Sequence, residues 1–354
     1  MDPSHLSLLR LANQHIAGTR FTSPKDIVAW MGAMQAQDHA MVKWAVGIRL
    51  PGATDGSVEA AIDNGDIIRT HVLRPTWHFV SAEDVRWMLA LTAPHIRKGL
   101  TGRHRALGLT NSVLAKSRKV LEKTLRDRNH ATREELIVEL NKANIATDEN
   151  RASHIFAAAE LDGIICNGKT KNGRQTFSLL EEWVPATKPK GRDEALASLA
   201  QRYFKSHGPA ALADFVWWSG LSVSDARHAV EMVRKDFVEE IIEERTYWFS
   251  ESAALPKKDP VYLLPAYDEF IISYADRSAT LTFESHKRTV SSNGIFRPTV
   301  VVNGQTIGIW KRTFKKDLVV MEFEYFEKPS AAVLKLIEAA AIQYGKFLGK
   351  KIKQ

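Results

Sequence analysis

Apolar residues in the middle of the chain follow two different rhythms. Leu136, Ile137 and Leu140 recur at helical spacing behind Thr132, which pairs with Glu135 in the Thr-x-x-Glu pattern of a helix start. A second helical run over 150–161 stops at Gly163, and the β-rich segments 163–169 and 174–180 follow, joined by Thr170-Lys171-Asn172-Gly173. An Asn-Gly pair between such segments predicts a hairpin. Helix, helix, hairpin is the order of a winged helix, a member of the helix-turn-helix group. The next stretch repeats it, with helices over 194–206, from Pro209 to Trp217 and from the cap Ser222 to Lys235, then alternation over 239–250. Upstream, 5–17 and 23–34 read as helices, the second capped by Ser23 with Pro24 at its first position. Another helix starts near Asp38, a short one covers 57–62, 66–80 reads as a hairpin, and Ser81 caps the helix beyond. Three units of about 60–80 residues thus share one plan without shared sequence.

The last hundred residues change character. Segments 261–274, 299–314 and 317–326 are β-rich, with Asn303-Gly304 as a turn, and Ser330 caps a closing helix to about Leu348. The fold class expected is mainly α with β: tandem winged-helix domains followed by a small C-terminal β-barrel and a closing helix. The boundaries fall at 1–108, 109–188, 189–254 and 255–354, with linkers at Thr187–Gly191 and Leu255–Pro260.

Composition narrows the function. The N-terminal residues carry no basic, apolar leader, and no run approaches the roughly 18 apolar residues of a membrane span. A single cysteine, Cys166, excludes disulfides within the chain and any multi-cysteine zinc site, so a reducing cytoplasm is the default location. The net charge of +8 is concentrated: residues 86–128 hold eleven Lys or Arg against Glu122 and Asp127. Such a run attracts a polyanion through counterion release, or else is a solvated helix face.

Several motifs lead nowhere. Gly163 to Thr170 matches the phosphate-loop pattern G-x-x-x-x-G-K-[ST], but a helix precedes it and a hairpin follows, the reverse of the strand-to-helix geometry that phosphate binding needs. Lys169, Lys171 and Arg174 read instead as a basic wing on backbone phosphate, or as a solvated hairpin tip. Twelve histidines include no H-E-x-x-H arrangement, so neither a metal nor another cofactor is expected. Cys166, in an apolar strand, is assigned to the core, as are Trp217-Trp218 and Trp87-Met88 at helical spacing.

Four blocks together resemble the AlkZ/YcaQ-like winged-helix DNA glycosylases: GAMQAQDHAMVKWAVGIRL at 32–50, RTHVLRPTWHFVSAED at 69–84, VYLLPAYDEFIISYADR at 261–277 and NGIFRPTVVVNGQTIGIWKR at 293–312. They occur in the family's order and span nearly the whole chain. That resemblance implies tandem winged helices with a C-terminal β-barrel, and a Gln-Φ-Gln or Gln-Φ-Asp marker that Gln35-Ala36-Gln37 fits. It implies that Gln35 and Gln37 are catalytic and face the lesion and sugar carbon C1′, and the second glutamine leans towards the subgroup that handles bulky adducts and crosslinks. Asp38 either adds negative field there or caps the next helix, the cap being favoured. His78 falls in the second block, as a structural hydrogen-bonder or as catalytic support. Asp268, Arg277 and Arg297 are expected in a buried ion pair or turn contacts.

The chemistry is sound on physical grounds. A guanine alkylated at N7 is cationic and departs neutral, so the enzyme needs only to place a water at C1′ and tolerate an oxocarbenium-like transition state. A glutamine carbonyl can accept a hydrogen bond from that water and point its dipole at the developing charge. The expected partner is double-stranded DNA, bound by a monomer through Arg69, Arg74, Arg97, Lys98, Arg103, Arg105, Lys169, Lys171 and Arg174, in a nucleoid-associated cytoplasmic protein. The competing reading is a non-catalytic winged-helix regulator or architectural protein, which would need the basic segment but neither glutamine.

Overall fold

The computed structural model describes residues 3–127, 129–250, 255 and 260–353. Arg128 of the basic segment, and the expected linker at 255–260 apart from its two end residues, lie outside them. About half of the chain is helical, and the strands form three small sheets and one larger one. A likeness in element order is thereby a likeness in topology. In each small sheet a two-residue strand ahead of the hairpin pairs with the hairpin's second strand. Met34–Gln35 joins Trp77–Ser81 and Ile67–His71; Ala131–Thr132 joins Arg174–Leu179 and Ile165–Lys171; Ala210–Ala211 joins Arg245–Phe249 and Val238–Ile242.

Local chemistry sets the helix ends. Ser23 accepts the Asp26 amide and Pro24 opens the helix Pro24–Met31, which stops short of the expected Met34 because Gly32 turns the chain at φ 76°. Thr132 and Glu135 form the reciprocal capping box of Arg133–Lys142. Ser81 does not cap its helix. It ends a strand and donates to Asp84, which precedes the long helix Val85–Ala106. The phosphate-loop look-alike runs along the strand Ile165–Lys171, and Cys166 is fully buried there.

The C-terminal sheet is a curled half-barrel rather than a closed barrel. Its order is Val261–Leu264, Thr299–Val302, Gln305–Phe314, Leu318–Tyr325 and Lys351–Lys353, with a register shift at Val300/Val301. The outer strands do not pair; the helix Ala331–Leu348 packs against both.

Three large cores organise the described residues. The unit around 107–179 closes on itself through Leu121, Leu136, Phe156 and Ile165. The third unit shares a core with the first hairpin and the helix Val85–Ala106, through Val80, Met88, Leu199 and Trp218. The largest core joins the two ends of the sequence, Trp44 meeting Tyr344 and Phe347 with ring centroids 5.0 and 5.1 Å away. Gly47 makes this approach possible, since a Cβ there would lie 2.4 Å from the Phe347 ring. Arg49 ties the same junction: it is fully buried, holds Asp268 through two 2.8 Å bonds, and reaches Gln14 and the Ala45 carbonyl. Removing one partner of a sealed pair strands the other's charge. Arg49→Met is therefore expected to lower unfolding stability in urea by about 3–5 kcal/mol; a loss below about 1 kcal/mol, the range of exposed pairs, would show that the junction does not depend on it.

Candidate active site

Gln35, Ala36 and Gln37 occupy the turn between Pro24–Met31 and the helix His39–Ile48. The strand Met34–Gln35 pairs antiparallel with Phe79 and His78, and the Ala36 amide donates to the Trp77 carbonyl at 2.7 Å. The chain then bends away, and the Gln35 Oε1 accepts the Gln37 amide at 2.8 Å. That bond closes a small ring and holds the Gln35 carboxamide against the backbone of its partner. Gln35 is 5% exposed, whereas Gln37 is exposed at the surface. Asp38 accepts the Ala40 and Met41 amides, both at 3.0 Å, as the cap of His39–Ile48.

The surroundings are cationic and aromatic. Arg69 donates from Nε to the Ala36 carbonyl at 3.0 Å, bonds Gln175 and lies 4.4 Å from the Trp77 ring centroid. Burial lowers its pKa to about 10, against the pull of Glu160 and Asp38, so it stays charged at neutral pH. Burial, followed by the nearby Arg69 charge, lowers His39 to about 4 and leaves it neutral. Burial, then Asp38, raises the Tyr267 phenol; Arg312 is lowered by burial and drawn back up by Asp38 and Asp55.

Beneath this turn lies a carboxylate that no sequence motif announces. Glu269, 1% exposed, accepts the Gln35 amide on Oε1 at 2.5 Å. Its Oε2 takes the Trp218 indole N–H at 3.2 Å and the Ser273 hydroxyl, with His207 Nε2 3.6 Å away. Burial works against ionisation, but contacts from His207, Ser273 and the Gln35 amide outweigh it and hold the acid at about 2. Its one signal in the sequence is an acid, Glu269, followed directly by apolar Phe270, Ile271 and Ile272 within a matching block.

The structure gathers some predicted residues and scatters others. Arg69 and Arg174 line a cavity of about 610 Å³ with Trp77, Glu160, Gln175 and Phe177. Arg97, Lys98 and Arg105 line a separate one of about 620 Å³ with His104 and Arg118, while Arg103 is exposed on the same helix. Arg97 and Arg118 both pair with Asp162 at 2.8 and 2.9 Å, so part of the basic run is neutralised within the fold. Lys169, Lys171 and Arg174 are exposed on the second hairpin, Lys171 pairing with Glu135 at 3.0 Å. Arg74 is half-buried and lies 5.9 Å from the Trp217 centroid, with Arg277 at 5.2 Å from the same ring. Trp218 is core as expected, but Trp217 is 43% exposed, because adjacent helix positions face different ways. Asp268 forms a buried pair with Arg49, Arg277 bonds the Ile271 carbonyl six residues back, and Arg297 is exposed.

A profile of the family described as DNA glycosylase AlkZ-like matches residues 28–347. The chain belongs to this family. It is an AlkZ-like DNA glycosylase, a hydrolase of N-glycosyl bonds in DNA. An interstrand DNA cross-link repair glycosylase of Streptomyces sahachiroi is 24% identical to it, over 94% of this chain and 93% of the relative. The solved structure of Streptomyces sahachiroi DNA glycosylase AlkZ superposes with a TM-score of 0.80, covering 100% of both chains at 20% identity.

Within this AlkZ-like site His78 is sealed. It is fully buried, pairs across the strand with Gln35, and its Nδ1 lies 3.0 Å from the Thr76 carbonyl. Burial, then Arg74, lowers its pKa to about 3. The unfolded ring, near 6.5, binds a proton that the folded one refuses. Its contribution to stability is whole above pH 6.5 and drains away as the pH falls towards 3. In an NMR titration the His78 ring is expected to show no protonation step between pH 8 and 5; a midpoint near 6.5 would mean that it is open to solvent.

Proposed function

We propose that this glycosylase hydrolyses the N-glycosidic bond of N7-alkylated purines in double-stranded DNA, bulky adducts and interstrand crosslinks included, and that it acts as a monomer. The observation that carries this reading is the Gln35–Gln37 turn. An exposed carboxamide stands beside a nearly buried one, their positions tied by the Gln35 Oε1 bond to the Gln37 amide, with the Arg69 guanidinium bound to the residue between them. Gln37 orients the attacking water at C1′ and Gln35 holds Gln37 in place. Asp38 accepts both cap amides on Oδ1, and the neutral Gln37 carboxamide meets the water. A cationic N7-alkylpurine needs no acid to leave, and a neutral amide therefore suffices. The relative named for interstrand cross-link repair supports extending the substrate class to crosslinks.

On this reading the three units of like topology are winged helices at 1–108, 109–188 and 189–254, with the half-barrel over 255–354. Arg69, Arg74, Lys98, Arg103, Arg105, Lys169 and Arg174 meet phosphates around the duplex, with Arg97 and Lys171 joining from ion pairs that they already make.

Two experiments test the reading. Duplex DNA carrying N7-methylguanine, incubated with the protein and cleaved by alkali, is expected to show strand breaks that fall about 10²–10³-fold in rate for Gln37→Ala, the size expected when one positioning group is removed. Breaks that persist at full rate remove Gln37 from the mechanism, and none from the unaltered protein favours a non-catalytic DNA binder. Replacing Arg97 and Lys98 by Ala should weaken duplex binding and flatten its dependence on log salt by roughly one unit for each phosphate no longer neutralised. An unchanged slope makes that face mere solvation.

A further inference from the structure

We propose that Glu269 is a positioning residue of the glycosylase: it never meets DNA, and it fixes the Gln35 backbone so that the two carboxamides keep one geometry. This rests on the reading that Gln35 and Gln37 act at C1′.

The strand that carries Gln35 is only two residues long, and its register is set on one side alone, by Phe79 and His78. So short an edge has little rigidity of its own. The Glu269 carboxylate grips it from the other side, through a contact that crosses 234 positions of sequence. A charge-assisted bond of this kind is about twice as strong as one between neutral groups. Around it the protein has arranged three more polar groups on the second oxygen: Trp218, Ser273 and His207. An unpaired buried carboxylate would be costly, and the Trp218 and Ser273 donors, with His207 3.6 Å away, are what permit the charge to persist where water cannot reach.

The carboxylate is itself placed from below. Asp268 caps the one-turn helix Glu269–Ile272 by accepting the Phe270 amide at 2.9 Å, and Arg49 clamps Asp268. Ser273, whose hydroxyl reaches Glu269, has its own carbonyl held by the Tyr203 hydroxyl at 3.0 Å. Hydrogen bonds from Arg49 to Asp268 and from the Gln35 amide to Glu269 thus tie both ends of the first unit's turn and helix to two adjacent residues of the C-terminal segment. A neutral Gln at 269 would retain an acceptor for the Gln35 amide, but its NH₂ group would face the Trp218 and Ser273 donors. The side chain must then rotate or withdraw, and Gln35 follows it.

The test compares the full-length protein with Glu269→Gln and Glu269→Asp, each first shown folded by its urea midpoint. On N7-methylguanine duplex, Glu269→Gln is expected to lower kcat by about 10²-fold, the effect of a displacement near 1 Å, with KM and binding to undamaged duplex unchanged. Glu269→Asp, which keeps the charge, should recover part of that loss. Independently of activity, the Gln35 amide proton should lie far downfield and be protected from exchange in the unaltered protein, and move upfield in Glu269→Gln. A wild-type kcat in Glu269→Gln, a loss carried by KM, or an unmoved Gln35 amide overturns the proposal. Base release that survives Gln37→Ala overturns the reading beneath it instead, and the two failures are distinct because that result arises with Glu269 intact.

Discussion

The Gln35–Gln37 turn depends on one backbone amide, that of Gln35, being claimed by a sealed carboxylate. Met34 and Gln35 form the shortest of strands, held by the first hairpin on one edge and by Glu269 at the other. Glu269 is held as an anion there by His207 and by donors that include Trp218 of the third unit and Ser273 of the half-barrel segment. Its position in turn needs Asp268, and Asp268 needs Arg49 from the helix that follows the turn. Three distant parts of the sequence thus meet at two residues. In a low-dielectric interior such a polar network has few alternatives that satisfy every group, which is how a surface turn acquires a single conformation.

The charges are arranged by depth. Anions lie inside or are spent on local tasks, Glu269 beneath the turn and Asp38 on a helix cap, while Arg69 stands at its edge. On the proposed reading this suits a substrate that is itself a cation leaving as a neutral base. An exposed carboxylate is not needed as a proton acceptor early in the reaction, and surface cations are free to hold phosphate. The basic helix Val85–Ala106 and its neighbour add to that field less than their composition suggests, since Asp162 takes two of their arginines.

Much of this was legible in the sequence where the cause is local. The Ser23, Thr132 and Ser330 caps and the Asn-Gly turns are written in neighbouring residues, and the structure forms them as read. The helix-helix-hairpin order followed from them. The two-residue leading strands were invisible, because alternation cannot register over so short a span. Ser81 was misread because Asp84, its hydrogen-bond partner, stands where a cap also could. Trp217 and Trp218 look alike in sequence, yet a helix turns by about 100° per residue and sends one inward and one out. The β-rich C-terminal segments predict a small sheet or barrel, but they state strand number and not whether the edges meet, and the sheet stays a half-barrel. Glu269 was missed for the deepest reason: its meaning lies wholly in a contact with a residue 234 positions away.

On the proposed reading a neutral carboxamide, positioned from behind by a buried anion, presents water to the sugar. A crystal structure of the protein on duplex DNA carrying a cationic pyrrolidine in place of the damaged nucleoside tests it most directly. An ordered water is expected between the Gln37 carboxamide and the ring position equivalent to C1′, with the Gln35 amide still on Glu269. A ring approached by the Asp38 carboxylate instead, or bound out of reach of both glutamines, would contradict it.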